Sequence, residues 1–160
     1  MDYEPDADVF YFGTYDEHLS GRGGTGIKKS NEGADVELGT QFFINNTWDN
    51  SYAFYDREFL NDATKFTFRV GTARAYANEI VEFRLDDPKS EPIATLDVET
   101  LVEGETYSAY SWRQWAVDMP LSKTIPAGTH DIYVSFVPRE KTEVSEGDVG
   151  TTNAYYMAFY

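Results

Sequence analysis

Along much of the chain, apolar and polar residues alternate one by one. In residues 65–70, Phe66, Phe68 and Val70 fall on one face and Lys65, Thr67 and Arg69 on the other. Residues 79–85 repeat the pattern with Val81, Phe83 and Leu85, and residues 130–137 with Ile132, Val134 and Phe136. Successive side chains of a strand point to opposite sides, so such runs predict strands buried on one face. Residues 93–98 and 154–160 are also strand-like. Turn formers separate the runs: Gly23-Gly24, Asn61-Asp62, Asp86-Asp87-Pro88, Glu103-Gly104 and Pro126-Ala127-Gly128. No segment carries an amphipathic helical period. Many short strands with regular punctuation predict an all-β fold, a sandwich of two antiparallel sheets.

The stretch Ser111-Trp112-Arg113-Gln114-Trp115 conflicts with a purely structural role for both indoles. In an extended segment, residues an odd number apart face opposite ways. Trp115 shares its phase with Val117 and Met119 and is the expected core residue. Trp112 then starts the strand on the other side, beside the polar loop 99–110. Two readings are open: Trp112 packs beneath that loop, or it is offered to solvent as a stacking platform. An exposed indole is disfavoured unless it has a partner, and sugars present apolar C–H faces that stack on aromatic rings. A second long loop, residues 139–153, is rich in Gly, Thr and acids. Loops of this length in a small domain are functional or disordered.

Composition narrows the partners. The chain has 160 residues, enough for one domain with a two-layer core, so residues 1–160 are read as a single unit. Asp and Glu number 28 against 13 Lys and Arg, a net charge of −15. That field repels phosphate backbones and anionic bilayers, so neither nucleic acid nor membrane is an expected partner. No apolar run approaches the roughly 20 residues of a membrane span, and the N-terminus lacks the basic start and apolar stretch of a signal peptide. Cysteine is absent, which excludes disulfides and thiolate metal sites. Aromatics reach 16%, with 12 Tyr and 11 Phe, which suits strands and stacking surfaces.

Six segments, in order, resemble family 6 carbohydrate-binding modules. They are FTFRVGTA (66–73), EIVEFRLDD (79–87), IATLDV (93–98), SWRQW (111–115), PAGTHDIYVSF (126–136) and NAYYMAF (153–159). Upstream, residues 47–59 are similar to the family's first aromatic stretch, with Tyr52, Tyr55 and Phe59 at its aromatic positions and a loop about two residues shorter. The resemblance implies a jelly-roll β-sandwich. It further implies a noncatalytic module that brings a tethered glycoside hydrolase to a plant or algal polysaccharide, a β-glycan such as xylan or β-glucan. Two aromatics of a loop cleft would clamp a sugar ring, here Trp48 and Trp112. Asn153 would bond its hydroxyls, and Tyr110 and Tyr107 would rim the cleft. An amide offers both a donor and an acceptor to neighbouring hydroxyls. The implied setting is bacterial and extracellular, as a monomeric part of a larger enzyme.

No cofactor is expected to be required. Many family members hold a structural calcium, and its usual ligand positions fall here on Gly13 and Tyr155, neither of which supplies a carboxylate. Calcium wants six to eight oxygens, so another site would have to draw on acidic runs such as Asp86-Asp87 or Glu143, Glu146 and Asp148. Catalysis finds little support. There is no Gly-x-Ser-x-Gly motif. His18 and His130 are far apart, with His130 in a turn that reads as structural. A glycosidase needs a carboxylate pair about 5–10 Å apart across a cleft, which the resemblance does not predict. The alternative to a sugar binder is a structural or protein-interaction sandwich with a degenerate cleft, in which Trp112 is buried under loop 99–110.

Overall fold

A computed structural model describes residues 6–19, 26–30, 41–45, 51–138 and 152–160. Its strands are β1 (Asp8–Tyr11), β2 (Glu17–Leu19), β3 (Gly26–Ser30), β4 (Gln41–Asn45), β5 (Ser51–Phe59), β6 (Ala63–Thr72), β7 (Glu79–Leu85), β8 (Ala94–Asp97), β9 (Arg113–Ile125), β10 (Gly128–Pro138) and β11 (Asn153–Phe159). The first sheet runs β3-β4-β11-β6-β9, with β1 also paired to β11, and the second runs β2-β5-β10-β7-β8. Every pairing among the described residues is antiparallel. The only helical pieces among these residues are short 3-10 turns. The expected sandwich of two antiparallel sheets is therefore the observed fold.

The alternation explains which faces meet. Phe66, Phe68 and Val70 of the first sheet are buried against Val81, Phe83 and Leu85 of β7 and Ile132, Val134 and Phe136 of β10. Phe83 presents its ring to both Phe66 and Phe68, at centroid distances of 4.9 and 5.2 Å and near-perpendicular angles of 67° and 81°. Each such edge-to-face pair adds about 0.5–1.5 kcal/mol beyond its burial. Phe159 stacks on Phe66 at 4.7 Å and fixes β11 in the same layer. Trp115 packs at the core margin beside Val117, and Met119 is fully within it.

Polar groups that are buried are tied down. The Tyr55 hydroxyl donates to the Phe12 carbonyl at 2.7 Å, and burial raises its pKa well above the usual phenol value. Asp8 accepts from the backbone N–H groups of Leu60 and Asn61 at 3.1–3.2 Å, fastening β1 to the β5–β6 turn. Asp86 closes the turn after β7 with a left-handed φ of 63°. Its carboxylate accepts from the Asp131 N–H at 2.9 Å and lies 2.9 Å from His130 Nδ1. His130 Nε2 faces the Pro126 carbonyl at 2.8 Å, so the histidine bridges two turns, the structural role its position implies.

Candidate functional site

The site is built at the end of the sandwich where β6 finishes and β7, β9 and β11 begin. Register sets the row. Asn153 pairs with Gly71 of β6, and Gly71 pairs with Gln114 of β9. Strands lie about 4.8 Å apart, so Asn153 and Gln114 are separated by roughly 10 Å of sheet. Trp112 lies just before β9, whose first residue, Arg113, pairs with Thr72. Trp112 and Asn153 therefore share one end of the first sheet. Ala154 opposes Ile44, which brings Asn45, the last residue of β4, to that end as well. Trp48 falls within residues 46–50, outside the described residues, as do Glu143, Glu146 and Asp148.

Loop 98–111 delivers Trp112 through a series of turns. The Asp97 carboxylate caps the first by accepting from the Glu99 N–H at 3.1 Å. Val102, Glu105 and Ser111 each donate a backbone N–H three residues back. The loop is fastened to the 3-10 turn Arg74–Tyr76 after β6. The Ala75 N–H donates to the Ala109 carbonyl at 2.8 Å, and Arg74 Nη1 donates to the Tyr107 carbonyl. These two bonds set the aromatic cluster. Tyr76 stacks on Trp112 with ring centroids 5.9 Å apart and planes 27° from parallel, and it meets the edge of Tyr110 at 6.0 Å. Trp112 remains 43% exposed and Tyr110 61%. Trp112 is thus backed on one side and open to solvent, not buried beneath loop 99–110.

Tyr107 lies deeper, half-buried, with its hydroxyl enclosed and without a hydrogen-bond partner among the described residues. The Arg113 guanidinium lies over its ring at 4.4 Å. Burial and Glu105 raise the phenol pKa against the opposing pull of Arg113 and Arg74. Glu79 and Thr152 are fully buried, and the Thr152 hydroxyl donates to Glu79 Oε1 at 2.8 Å. That bond joins the start of β7 to the residue before Asn153. Asn153 itself is half-buried at the strand's first position.

Trp112, Tyr110 and Asn153, named from the sequence, lie at this end of the sheet, and Tyr76 joins them without having been named. The available signal was an aromatic inside the short β6–β7 connection, a place where nothing in a strand pattern calls for one.

The structural calcium that many family members hold does not fit the residues at its usual place. Gly13 sits in the turn Phe12–Thr14 and has no side chain to offer. Tyr155 is buried at a register shift in β11, and its ring lies across Gly71. A carboxylate is missing from both positions. Asp86 is engaged with His130 and Asp131, and among the described residues no group of three or more His, Asp or Glu gathers to hold a metal.

No protein-family model matches the sequence, and a search of curated proteins returns no match. Solved structures do match, along nearly the whole chain, and they define the class: the fold is the β-sandwich of family 6 carbohydrate-binding modules. A β-1,3-glucan-binding module of that family from Bacillus halodurans is 18% identical with a TM-score of 0.59, covering 96% of this chain and 96% of that one. A family 6 module from Clostridium stercorarium in complex with cellobiose is 18% identical with a TM-score of 0.60, covering 96% and 93%. A family 43 arabinoxylan arabinofuranohydrolase from Bacillus subtilis, in complex with cellotetraose, matches with a TM-score of 0.61 at 18% identity. There the match covers 96% of this chain and 27% of the enzyme, so the likeness is to one part of a larger protein. At these identities the likeness is one of fold, and it agrees with the resemblance read from residues 50–160.

Proposed function

We propose that the chain is a noncatalytic carbohydrate-binding module that holds a β-glycan such as xylan or β-glucan at the loop end of its first sheet. The observation that carries this reading is Trp112, exposed at the mouth and backed by Tyr76. A fixed, flat apolar ring in solvent suits the C–H face of a pyranose. Tyr110 extends the rim, and Asn153, at the same end, offers an amide to hydroxyls. Trp48 is the second clamp that the family resemblance implies. Two matched structures are complexes with cello-oligosaccharides and a third is a β-1,3-glucan binder, which supports a glycan ligand. The match to part of a family 43 enzyme supports a tethered hydrolase as the setting, and with it an extracellular location. The module acts as a monomer that binds neither nucleic acid nor membrane, in keeping with its net charge of −15.

Binding is modest, because an open cleft makes few contacts and must order a flexible chain. Affinity electrophoresis on xylan, cellulose, mixed-linkage glucan, laminarin and agarose tests the reading. Retardation on at least one of them is expected, and migration unaffected by all of them overturns it.

A further inference from the structure

Two arginines stand beside the aromatic cluster in a chain where acids outnumber basic residues 28 to 13. Among the described residues, two arginines have a carboxylate partner, Arg57 with Asp16 and Arg84 with Glu82. Among the described residues, Arg74 and Arg113 have no such ion pair. Arg74 spends one N–H on the Tyr107 carbonyl. Arg113 is exposed, follows Trp112 directly and lies with its guanidinium over the Tyr107 ring at 4.4 Å. That contact occupies a face of the ion and leaves its in-plane N–H donors unused by the described residues. Among the described residues, Glu105 acts on the Tyr107 phenol against the two arginines.

We propose that this site selects a glycan bearing hexuronate carboxylates, such as a glucuronate-substituted β-xylan. This rests on the reading of Trp112 as the sugar platform. A planar guanidinium held by stacking matches a carboxylate through two parallel N–H···O bonds, a match a neutral hydroxymethyl group does not make. The chain's acidic envelope repels a polyanion at long range. A carboxylate that reaches the Arg113 guanidinium over Tyr107 meets it at contact distance, while the distant charges are screened beyond about 8–10 Å. Selection therefore falls on sparsely charged chains whose neutral rings stack while one acidic substituent reaches the arginines.

The test uses glucuronoxylan and the same polymer after reduction of its carboxyl groups, compared by affinity electrophoresis and calorimetry. The native polymer is expected to bind about tenfold more tightly, the discrimination of one charge-assisted bidentate contact. Arg113→Gln, checked for an unchanged melting midpoint, is expected to bind both forms as the parent binds the reduced one. Equal affinity for native and reduced polymer overturns the uronate inference and leaves the sugar-binding reading intact. A preference for sulfated glycans over glucuronoxylan overturns it too. Absence of binding to either form, and to the neutral glycans, overturns both readings together.

Discussion

Tyr76 lies behind Trp112, with ring centroids 5.9 Å apart and planes 27° from parallel, and it holds the exposed indole at a fixed attitude. Tyr76 is placed by a backbone bond between Ala75 and Ala109, so the platform draws on two connections far apart in sequence. Trp112→Ala is expected to abolish glycan retardation while stability stays within about 0.5 kcal/mol, as for a surface substitution. Tyr76→Ala is expected to weaken retardation on every glycan through the loss of the backing ring. Tyr76→Phe is expected to restore it, because the stack and not the hydroxyl is what Trp112 feels. Retardation unchanged in Tyr76→Ala would show that Trp112 needs no support.

Gly71 makes room for Tyr155. A Cβ there would sit 3.1 Å from the Arg113 carbonyl oxygen and 3.3 Å from the Tyr155 ring. The backbone oxygen cannot swing away as a side chain does, so the strands or the ring must move. Gly71→Ala is expected to destabilise the fold by about 1–3 kcal/mol, the ordinary range for overpacking. Chemical denaturation followed by tryptophan fluorescence measures it, and a shift toward higher midpoint would contradict the close approach.

The contacts of Asp86 favour its charged form in the folded state. Burial works against its charge, but the Asp131 N–H, the His130 hydrogen bond and the nearby positive groups outweigh burial and lower the pKa. A group lowered in the folded state contributes stability above its unfolded pKa, about 3.9, and loses it as pH falls through the lowered folded value. Asp86→Asn keeps a residue that tolerates the left-handed φ of 63° while removing the charge. Its melting midpoint is expected to fall less than that of the parent as pH is lowered through and below the unfolded pKa. Equal losses in both proteins would show that the side chain is 52% exposed to no electrostatic consequence.

Thr152 ties the start of β11, at the end that carries Trp112 and Asn153, to the core. Its hydroxyl donates to the buried Glu79 at 2.8 Å, one residue before Asn153. Thr152→Val preserves shape and removes the donor, leaving a buried acceptor with one bond fewer. A cost of about 1–3 kcal/mol is expected, with weaker glycan binding as the start of β11 loosens. Unchanged denaturation and unchanged binding would mean that Asn153 is held by other contacts.

Calcium at the family's usual position is not expected to matter, because Gly13 and Tyr155 cannot supply its carboxylates. The melting midpoint should be the same in excess calcium and in chelator, since an ion that binds only the folded state must raise it. A higher midpoint with calcium would locate a site built from other acids.

The strands were legible because burial on one face writes itself into the chain as alternation. Phe66, Phe68, Val70, Phe83 and Val134 fall inside where their phase put them. The same rule separated Trp115 from Trp112, since neighbours in odd register cannot share a face. Local sequence also marked Gly104 and Gly128, both at positive φ in turns. Tyr76 was not legible, because no periodicity governs a three-residue turn and its ring is used only against a loop some thirty residues later. The cation pair was equally hidden: Arg74 and Arg113 look like any charged residue until the fold sets both against Tyr107.

By itself, the sequence determined the class of fold, the inward faces of the strands and the fact that one indole must leave the core. Those follow from the period of the strand and the transfer of apolar side chains from water, which act residue by residue. Tertiary structure alone decided that Trp112 is backed by Tyr76, that Asn153 reaches the same end through Gly71 and Gln114, and that two arginines gather there. Such juxtapositions depend on strand order and register, which join segments by hydrogen bonds between strands and leave no periodic trace along the chain.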